Sequence, residues 1–173
     1  EILKATIENA KVLLKSDKIK SSSSERSLLK NLGLWLGALT LARNKPLLHK
    51  DLDLKALLVS AYVQGKMIAV VPFVSKILDG CRSSKIFRPP NPWLMSLVRL
   101  FKEIYEKPDL KLNLKFEMEM LTKNLGVDLN NGSIEASTVL VDVAHDLQDN
   151  PDFNTKNKKS APLSPPSSTM GQI

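Results

Sequence analysis

The residue types that most often carry out catalysis are scarce in this sequence and lie far apart. The chain of 173 residues contains one cysteine, Cys81, and two histidines, His49 and His145. Arg82 follows Cys81 and could lower the pKa of its thiol, but no nearby base would activate it as a nucleophile. One histidine falls in a predicted loop and the other in a weak C-terminal helix. We therefore expect an unreactive cysteine and two ordinary surface histidines.

Sequence motifs that bind phosphate, dinucleotides or metals, or that present a nucleophilic serine, are also missing. The chain contains no G-x-x-x-x-G-K-[S/T], G-x-G-x-x-G, H-E-x-x-H or G-x-S-x-G pattern. Its acidic residues are dispersed along predicted helix surfaces at the spacing of charge pairs. A single cysteine forms neither an internal disulfide nor a cysteine-based zinc site, and it indicates a reducing compartment. The sequence predicts a protein that is not an enzyme and has no cofactor and no metal.

The charge of the chain is basic overall but unevenly distributed. The net charge is +7 at pH 7. Residues 1–125 carry a net charge of +10, whereas residues 126–173 carry −3. A basic body raises non-specific affinity for phosphate backbones and for acidic protein surfaces. The simpler interpretation is a solvated, lysine-rich surface without a partner, and the charge totals do not decide between the two.

The N-terminus and the apolar runs argue against export and membrane insertion. No apolar run reaches the length of about 18 residues that a membrane span needs, and the first residues lack the basic start of a signal peptide. We expect a chain that is neither secreted nor membrane-spanning. The chain begins at Glu1 without an initiator methionine, which indicates a fragment.

Apolar residues recur at helical spacing in six segments. Ser22 and Asn91 are predicted N-caps, as is Asp51 or Asp53, and Gly65 and Gly126 are predicted C-terminal ends. Pro72 lies inside the fourth segment and predicts a kink or a break at residues 70–72. The predicted helices cover about residues 1–15, 25–43, 54–64, 67–78, 92–107 and 110–125.

The second predicted helix carries two glycines one turn apart, Gly33 and Gly37. Such a pair mediates dimerisation of membrane helices, but this stretch is short and contains Lys30 and Asn31. Close packing between helices of a soluble domain explains the glycines better. The large apolar residues of this helix, Trp35 among them, are predicted to form one buried stripe: Leu28, Leu32, Trp35, Leu36 and Leu39.

The predicted helices allow a closed bundle or a solenoid of antiparallel helical hairpins. The helices pair as first with second, third with fourth and fifth with sixth, at the 40–50-residue spacing of HEAT repeats, which favours the solenoid. Glycine and aromatic residues are too few for a β-sandwich or barrel. We predict an all-α HEAT-like body at residues 1–129, a weak helix or linker at 130–147 and a disordered tail at 148–173.

Four stretches resemble a known family. They are residues 27–37 (SLLKNLGLWLG), 71–74 (VPFV), 87–93 (FRPPNPW) and 110–117 (LKLNLKFE). Together they resemble the middle domain of the large scaffold subunit of the CCR-NOT mRNA deadenylase complex. The resemblance extends from about residue 1 to Leu129 and is absent after Asn130. It implies a HEAT-type solenoid like the middle domain of translation initiation factor four-G.

The resemblance also implies a function as a non-catalytic scaffold. In that family the middle domain docks the exonuclease subunit that shortens poly(A) tails and, on a different surface, a DEAD-box RNA helicase. Other subunits of the complex are implied as partners, with action in mRNA decay and translational repression. The implied location is the cytoplasm, including mRNA-decay granules, and also the nucleus. Because the family domain has further helices before the position of Glu1, we expect this chain to lack the first hairpin.

Two groups of residues are predicted to contact partners. The proline-rich loop before the fifth helix offers Arg88, whose guanidinium can form a charge-assisted contact, on a rigid backbone. The same loop is also explained structurally, with Phe87 and Trp93 buried and the prolines setting the entry into the helix. The second group lies near the start of the sixth helix, where a solvated face is the alternative. The predicted contact residues are Arg88, Pro89, Pro90, Asn91, Lys111, Asn113 and Lys115.

Direct RNA binding through the basic body is the alternative function. It requires a continuous stripe of lysines and arginines interleaved with exposed aromatic rings. Most aromatic residues here are predicted to be buried, so the sequence favours protein docking and leaves at most a weak RNA contact.

Overall fold

The structure is a computed structural model that describes residues 1–130, 132, 134–143 and 150–154. Within these residues it is all-helical, apart from an isolated bridge between Leu110 and Phe153. Short 3-10 turns follow α1, α2 and α4. The six α-helices are α1 (Ile2–Lys15), α2 (Ser23–Leu39), α3 (Leu54–Gln64), α4 (Met67–Asp79), α5 (Pro92–Tyr105) and α6 (Leu112–Asn124).

The predicted caps set the ends of the helices. The Ser22 hydroxyl accepts a hydrogen bond from the Glu25 amide at 3.4 Å, and Asp53 accepts one from the Ala56 amide at 3.1 Å. Asn91 caps α5 by accepting hydrogen bonds from two backbone amides. Gly65 ends α3 with a φ of 71°, a left-handed conformation that glycine adopts without strain. Local side-chain chemistry thus defines these boundaries.

The helices form two layers of three. α1 packs on α2, α3 on α4 and α5 on α6, which confirms the predicted hairpins. α2 and α6 flank α4 in the inner layer, and α3 contacts α5 in the outer layer. The hairpins therefore stack in chain order, as in a solenoid.

Close backbone contact joins α2 to α4, as the two glycines predicted. A Cβ atom on Gly33 would lie 2.7 Å from the carbonyl oxygen of Phe73. The predicted buried stripe of α2 is partly wrong, because Leu28 is 51% exposed and Trp35 is 49% exposed. The buried face is instead Leu29, Gly33, Leu36 and Gly37. Helix α2 turns its smallest residues towards α4, because only they permit this backbone approach, and this rotation leaves Trp35 at the surface.

Of the two outcomes predicted at Pro72, the break is wrong and the kink stays a prediction. Helix α4 runs without a break from Met67 to Asp79 with Pro72 inside it. Proline removes one hydrogen-bond donor, but α4 is covered by α2, α3 and α6 and buries Val71, Phe73 and Val74. Burial of these apolar side chains offsets the missing hydrogen bond.

The chain after α6 follows the body more closely than predicted. Residues 134–143 form turns and irregular backbone rather than a helix. They are held by α5, since Lys102 donates to the carbonyl oxygen of Ile134 and Glu103 accepts from the Ser137 hydroxyl at 2.8 Å. These contacts are consistent with a linker that lies against the outer layer.

The prediction of a disordered tail from residue 148 onwards is wrong for residues 150–154. Asp152 is fully buried, and its carboxylate accepts hydrogen bonds from the amides of Met67 and Ile68, each at 3.0 Å. The ring of Phe153 packs edge-on against Tyr62 with 6.1 Å between ring centroids. This segment therefore caps α4 from a distant part of the chain. The rest of the predicted tail, residues 148–149 and 155–173, lies outside the described residues.

Candidate protein-docking site

A groove on the inner layer runs between the exposed sides of α4 and α6. Its volume is about 370 Å³. Phe116 and Met120 stand at its side with 55% and 59% of their surface exposed. The groove is lined by Ser75, Lys76, Asp79, Asn113, Phe116, Glu117, Met120, Leu121 and Asn124. Exposed apolar side chains of this size beside a concave surface mark an interaction site.

The sequence of α6 presents these residues because it has two apolar faces. Leu114, Met118 and Leu121 are buried against the body. Phe116 and Met120, four residues apart, share the other face. A helix needs one apolar face to pack on its own domain, so the second face is available to a partner.

Charges of both signs surround the groove. Lys76 and Asp79 come from α4, and Glu117 comes from α6. Lys30 of α2 lies 3.9 Å from Glu117, so a partly exposed ion pair joins α2 to α6. The hydroxyl oxygen of Ser75 is buried in the wall of the groove and has no hydrogen-bond partner among the described residues. The groove thus offers an apolar contact area with polar groups at its edge.

The predicted contact residues do not form one surface. Arg88, Pro89, Pro90 and Asn91 line a second open cavity of about 780 Å³, together with Leu125 and Gly126 at the end of α6. The other group lies at the opposite end of that helix, about 18 Å away at 1.5 Å per residue.

The second group is itself divided. Asn113 lines the α4–α6 groove. The ammonium group of Lys115 instead lies over the ring of Tyr105, 5.6 Å from its centroid. The backbone amide of Lys111 donates to the carbonyl oxygen of Asp152 at 3.0 Å. The structure thus places Asn113 on the groove, and the role of all seven residues in partner contact stays a prediction.

The loop before α5 is held by a residue that sequence reasoning missed. The side-chain oxygen of Asn44 accepts hydrogen bonds from the hydroxyl of Ser84 at 2.9 Å and from the amide of Lys85 at 2.7 Å. The Ser84 hydroxyl in turn accepts from the amide of Phe87 at 2.8 Å. The one local signal was an asparagine in a short polar turn, where its φ of 60° is tolerated. The local sequence does not indicate its hydrogen-bond partners, which lie about forty residues further along the chain.

The cysteine and the described histidine lie in surroundings that do not activate them. Cys81 is fully buried. Burial is the main reason that the pKa of its thiol is raised to about 12, and the nearby Asp79 carboxylate is the second reason. Arg82 pairs with Asp79 at 3.6 Å and does not lower that pKa. His49 is exposed and lies 3.5 Å from Asp53, whereas His145 lies outside the described residues.

The described residues offer neither a cluster of metal ligands nor a membrane-spanning helix. No three of their histidine, cysteine, aspartate and glutamate side chains are grouped to hold a metal ion. None of their helices combines the length and the apolar character that crossing a membrane requires.

Comparison with known families decides the relationship. The sequence profile of the CAF1-binding domain of CCR4-NOT transcription complex subunit 1 matches residues 1–150. The chain belongs to this family. The match confirms the resemblance to the CCR-NOT scaffold subunit, and it extends beyond Leu129 through the linker that lies on α5.

Three curated relatives are similar to this chain. One is named as a subunit of CCR4-NOT, and two are named as a general negative regulator of transcription. The CCR4-NOT transcription complex subunit let-711 of Caenorhabditis elegans is 47% identical over 157 residues, which are 86% of this chain. General negative regulator of transcription subunit 1 of Schizosaccharomyces pombe is 49% identical over 64% of the chain. The subunit of the same name from Saccharomyces cerevisiae is 46% identical over 60%. The chain spans only 5–6% of the length of these relatives.

Proposed function

We propose that this domain is a non-catalytic scaffold module of the CCR4-NOT complex that docks the poly(A)-shortening exonuclease subunit. The observation that carries the proposal is the match of residues 1–150 to the CAF1-binding domain family. The structure supports it with an exposed apolar groove on a rigid inner layer. Docking places the nuclease on the messenger that the complex holds, and so supports deadenylation and mRNA decay.

The exonuclease subunit docks in this proposal on the α4–α6 groove. Phe116 and Met120 are the anchors, because exposed aromatic and methionine side chains supply much of the binding energy of protein interfaces. The partly exposed ion pair of Lys30 and Glu117 lies at the edge of the groove, where a charge adjusts orientation more than affinity.

The test is binding of the purified exonuclease subunit from the same organism, measured by calorimetry. We expect Phe116→Glu to weaken binding by at least about tenfold, as loss of a central apolar anchor does. Val12→Glu is the matched control, because Val12 is 69% exposed on α1, away from the groove. Retained binding by Phe116→Glu would move the docking surface elsewhere. Absence of binding by the unaltered chain would reject the function.

A DEAD-box RNA helicase is the second proposed partner, on a different surface, with other CCR4-NOT subunits around the domain. The family resemblance supports this part of the proposal. A pull-down with both proteins present distinguishes two surfaces from one, because a shared surface makes the partners compete. Imaging of the tagged full-length protein tests the proposed location in the cytoplasm, its mRNA-decay granules and the nucleus.

Direct RNA binding is the less favoured alternative, because the family match points to protein docking. A weak RNA contact of the basic body is compatible with the scaffold function. Gel-shift titration with a poly(A) oligonucleotide at physiological salt measures it.

A further inference from the structure

We infer that one edge of the solenoid is a docking site for an acidic peptide segment of a protein partner that also carries an aliphatic side chain. The edge is formed by the two connections between hairpins. It adjoins one end of the α4–α6 groove but shares no lining residue with it. We call it the basic edge, and its residues are Arg43, Lys45, Arg82, Lys85 and Arg88.

Tertiary structure brings the basic edge together from two distant stretches of the chain. The 3-10 turn at Leu41–Arg43 packs against the 3-10 turn at Gly80–Ser83. Asn44 accepts hydrogen bonds from the amides of Lys85 and Ile86 at 2.7 and 3.3 Å. The cations on either side of Asn44 therefore lie beside those that follow Ser84.

Most of the positive charge of the edge is not neutralised within the described residues. Neither residues 40–50 nor residues 80–92 contain an aspartate or a glutamate. All five cations of the basic edge are exposed. Arg82 pairs with Asp79 at 3.6 Å, whereas the other four form no ion pair with any described residue. Like charges gathered in this way repel one another, and an acidic partner relieves that repulsion.

An open cavity with both polar and apolar lining residues adjoins the cations. Lys85 and Arg88 line the open cavity of about 780 Å³, together with Ile86, the three prolines of the loop and Leu125 of α6. The large apolar side chain of Ile86 is 57% exposed. A partner that places carboxylates on the cations and an aliphatic side chain in the cavity satisfies both features.

The features of the edge favour a peptide over single-stranded RNA. RNA-binding surfaces stack bases on exposed aromatic rings. The aromatic residues here, Phe87 and Trp93, are half-buried and pack edge-on against each other, with 5.8 Å between ring centroids. Stacking of a base would have to displace that contact. Charge and apolar contact remain, which is the chemistry of an acidic peptide.

The loop is also prepared for binding. Its amides at Ile86 and Phe87 donate to the Ser84 hydroxyl at 3.1 and 2.8 Å, and the Asn91 side chain donates to the Ile86 carbonyl at 3.2 Å. A loop held in this way loses little conformational entropy when a partner docks.

Fluorescence anisotropy with two labelled probes and the full chain tests the inference. The probes are a synthetic peptide of alternating glutamate pairs and leucines, and a poly(A) oligonucleotide. The edge variant Lys45→Glu/Lys85→Glu/Arg88→Glu is expected to bind the peptide at least about tenfold more weakly than the unaltered chain. The control Lys4→Glu/Lys15→Glu/Lys18→Glu makes the same charge change at exposed positions elsewhere and should lose less than about threefold.

Further arms keep every result interpretable. Replacing the leucines of the peptide by serines should weaken binding, because the cavity then stays empty. Lys45→Gln/Lys85→Gln/Arg88→Gln should show an intermediate loss, and it serves if the charge-reversed chain fails to fold. Phe116→Glu should leave peptide binding unchanged, which separates this site from the proposed exonuclease surface. Equal losses in the edge and control variants, or a greater loss for poly(A) than for the peptide, would overturn the inference.

Discussion

A Cβ atom on Gly37 would lie 2.4 Å from the carbonyl oxygen of Ile77. The backbones of α2 and α4 are therefore in direct contact, and the same contact continues at Gly80, whose Cβ would lie 2.6 Å from the carbonyl oxygen of Gly37. Because no side chain separates the two helices, neither can slide without losing contact along its length. The first two hairpins thus form a rigid base for the groove and for the basic edge.

Substitution Gly37→Ala should destabilise the domain. The added methyl group has no room against Ile77, so the helices must separate, and overpacking of this kind costs about 1–3 kcal/mol. Urea unfolding followed by circular dichroism measures the loss. Gly132→Ala is the control, because nothing lies within 4 Å of its Cβ position, and its change should stay within about 0.5 kcal/mol. Equal stability of both variants would contradict the close contact.

Substitution Asp152→Ala should destabilise the start of α4. It leaves the buried amide of Met67 and the partly buried amide of Ile68 without their acceptors, at a cost of about 1–3 kcal/mol. Hydrogen exchange at these two amides should accelerate together with the loss in unfolding free energy. Asp128→Ala removes an exposed local hydrogen bond to Asn130 and should change little. Unchanged exchange at Met67 would show that residues 150–154 do not cap α4.

Two neighbouring substitutions in the proline-rich loop should have opposite effects. Arg88→Glu should leave the melting temperature nearly unchanged, because Arg88 is exposed. It should weaken binding of the acidic peptide to the basic edge by at least about tenfold. Trp93→Ala should lower the melting temperature, because it removes the ring that packs on Phe87. Its cost should lie below the about 3–5 kcal/mol of a fully buried tryptophan. Thermal melts and partner titrations of both variants decide, and a loss of stability in Arg88→Glu would make the loop purely structural.

Alkaline pH should destabilise the domain. Burial raises the pKa of Cys81 to about 12 and that of Tyr62 above its usual 10, and a hydrogen bond to Glu119 raises the pKa of Tyr105. A group whose pKa is raised by folding stabilises the folded state below its unfolded pKa, and this contribution disappears as pH rises towards its folded pKa. Melting temperatures should therefore fall from about pH 9 upwards.

Substitution Cys81→Ala isolates the thiol's share of this effect. The variant should lose less stability between pH 9 and pH 11 than the unaltered chain, although it is less stable at pH 7 because it leaves a small cavity. A parallel decline of both proteins would assign the alkaline loss to the tyrosines.

Much of the fold follows from local sequence patterns. Helix ends depend on residues within one turn of them, so Ser22, Asn91 and Gly65 were sufficient to place three of them. The start of α3 was left open between Asp51 and Asp53, and the structure shows Asp53 as the cap. The prediction for Trp35 was wrong because an amphipathic pattern reports that a face is apolar, but not which neighbour covers it. For the same reason, Phe116 and Met120 were not predicted as contact residues, because α6 has a second apolar face that its own domain leaves exposed.

The sequence by itself determined the six helices, their pairing into hairpins and the family, because these depend on short-range periodicity and on motifs that remain contiguous along the chain. Only the tertiary structure decided which face of α2 is buried, that Asp152 caps α4, and that Asn44 places two basic connections side by side. Each of these features joins residues about forty or more positions apart. Such contacts depend on how closely backbones approach and on where buried polar groups find partners, and local patterns carry no record of either.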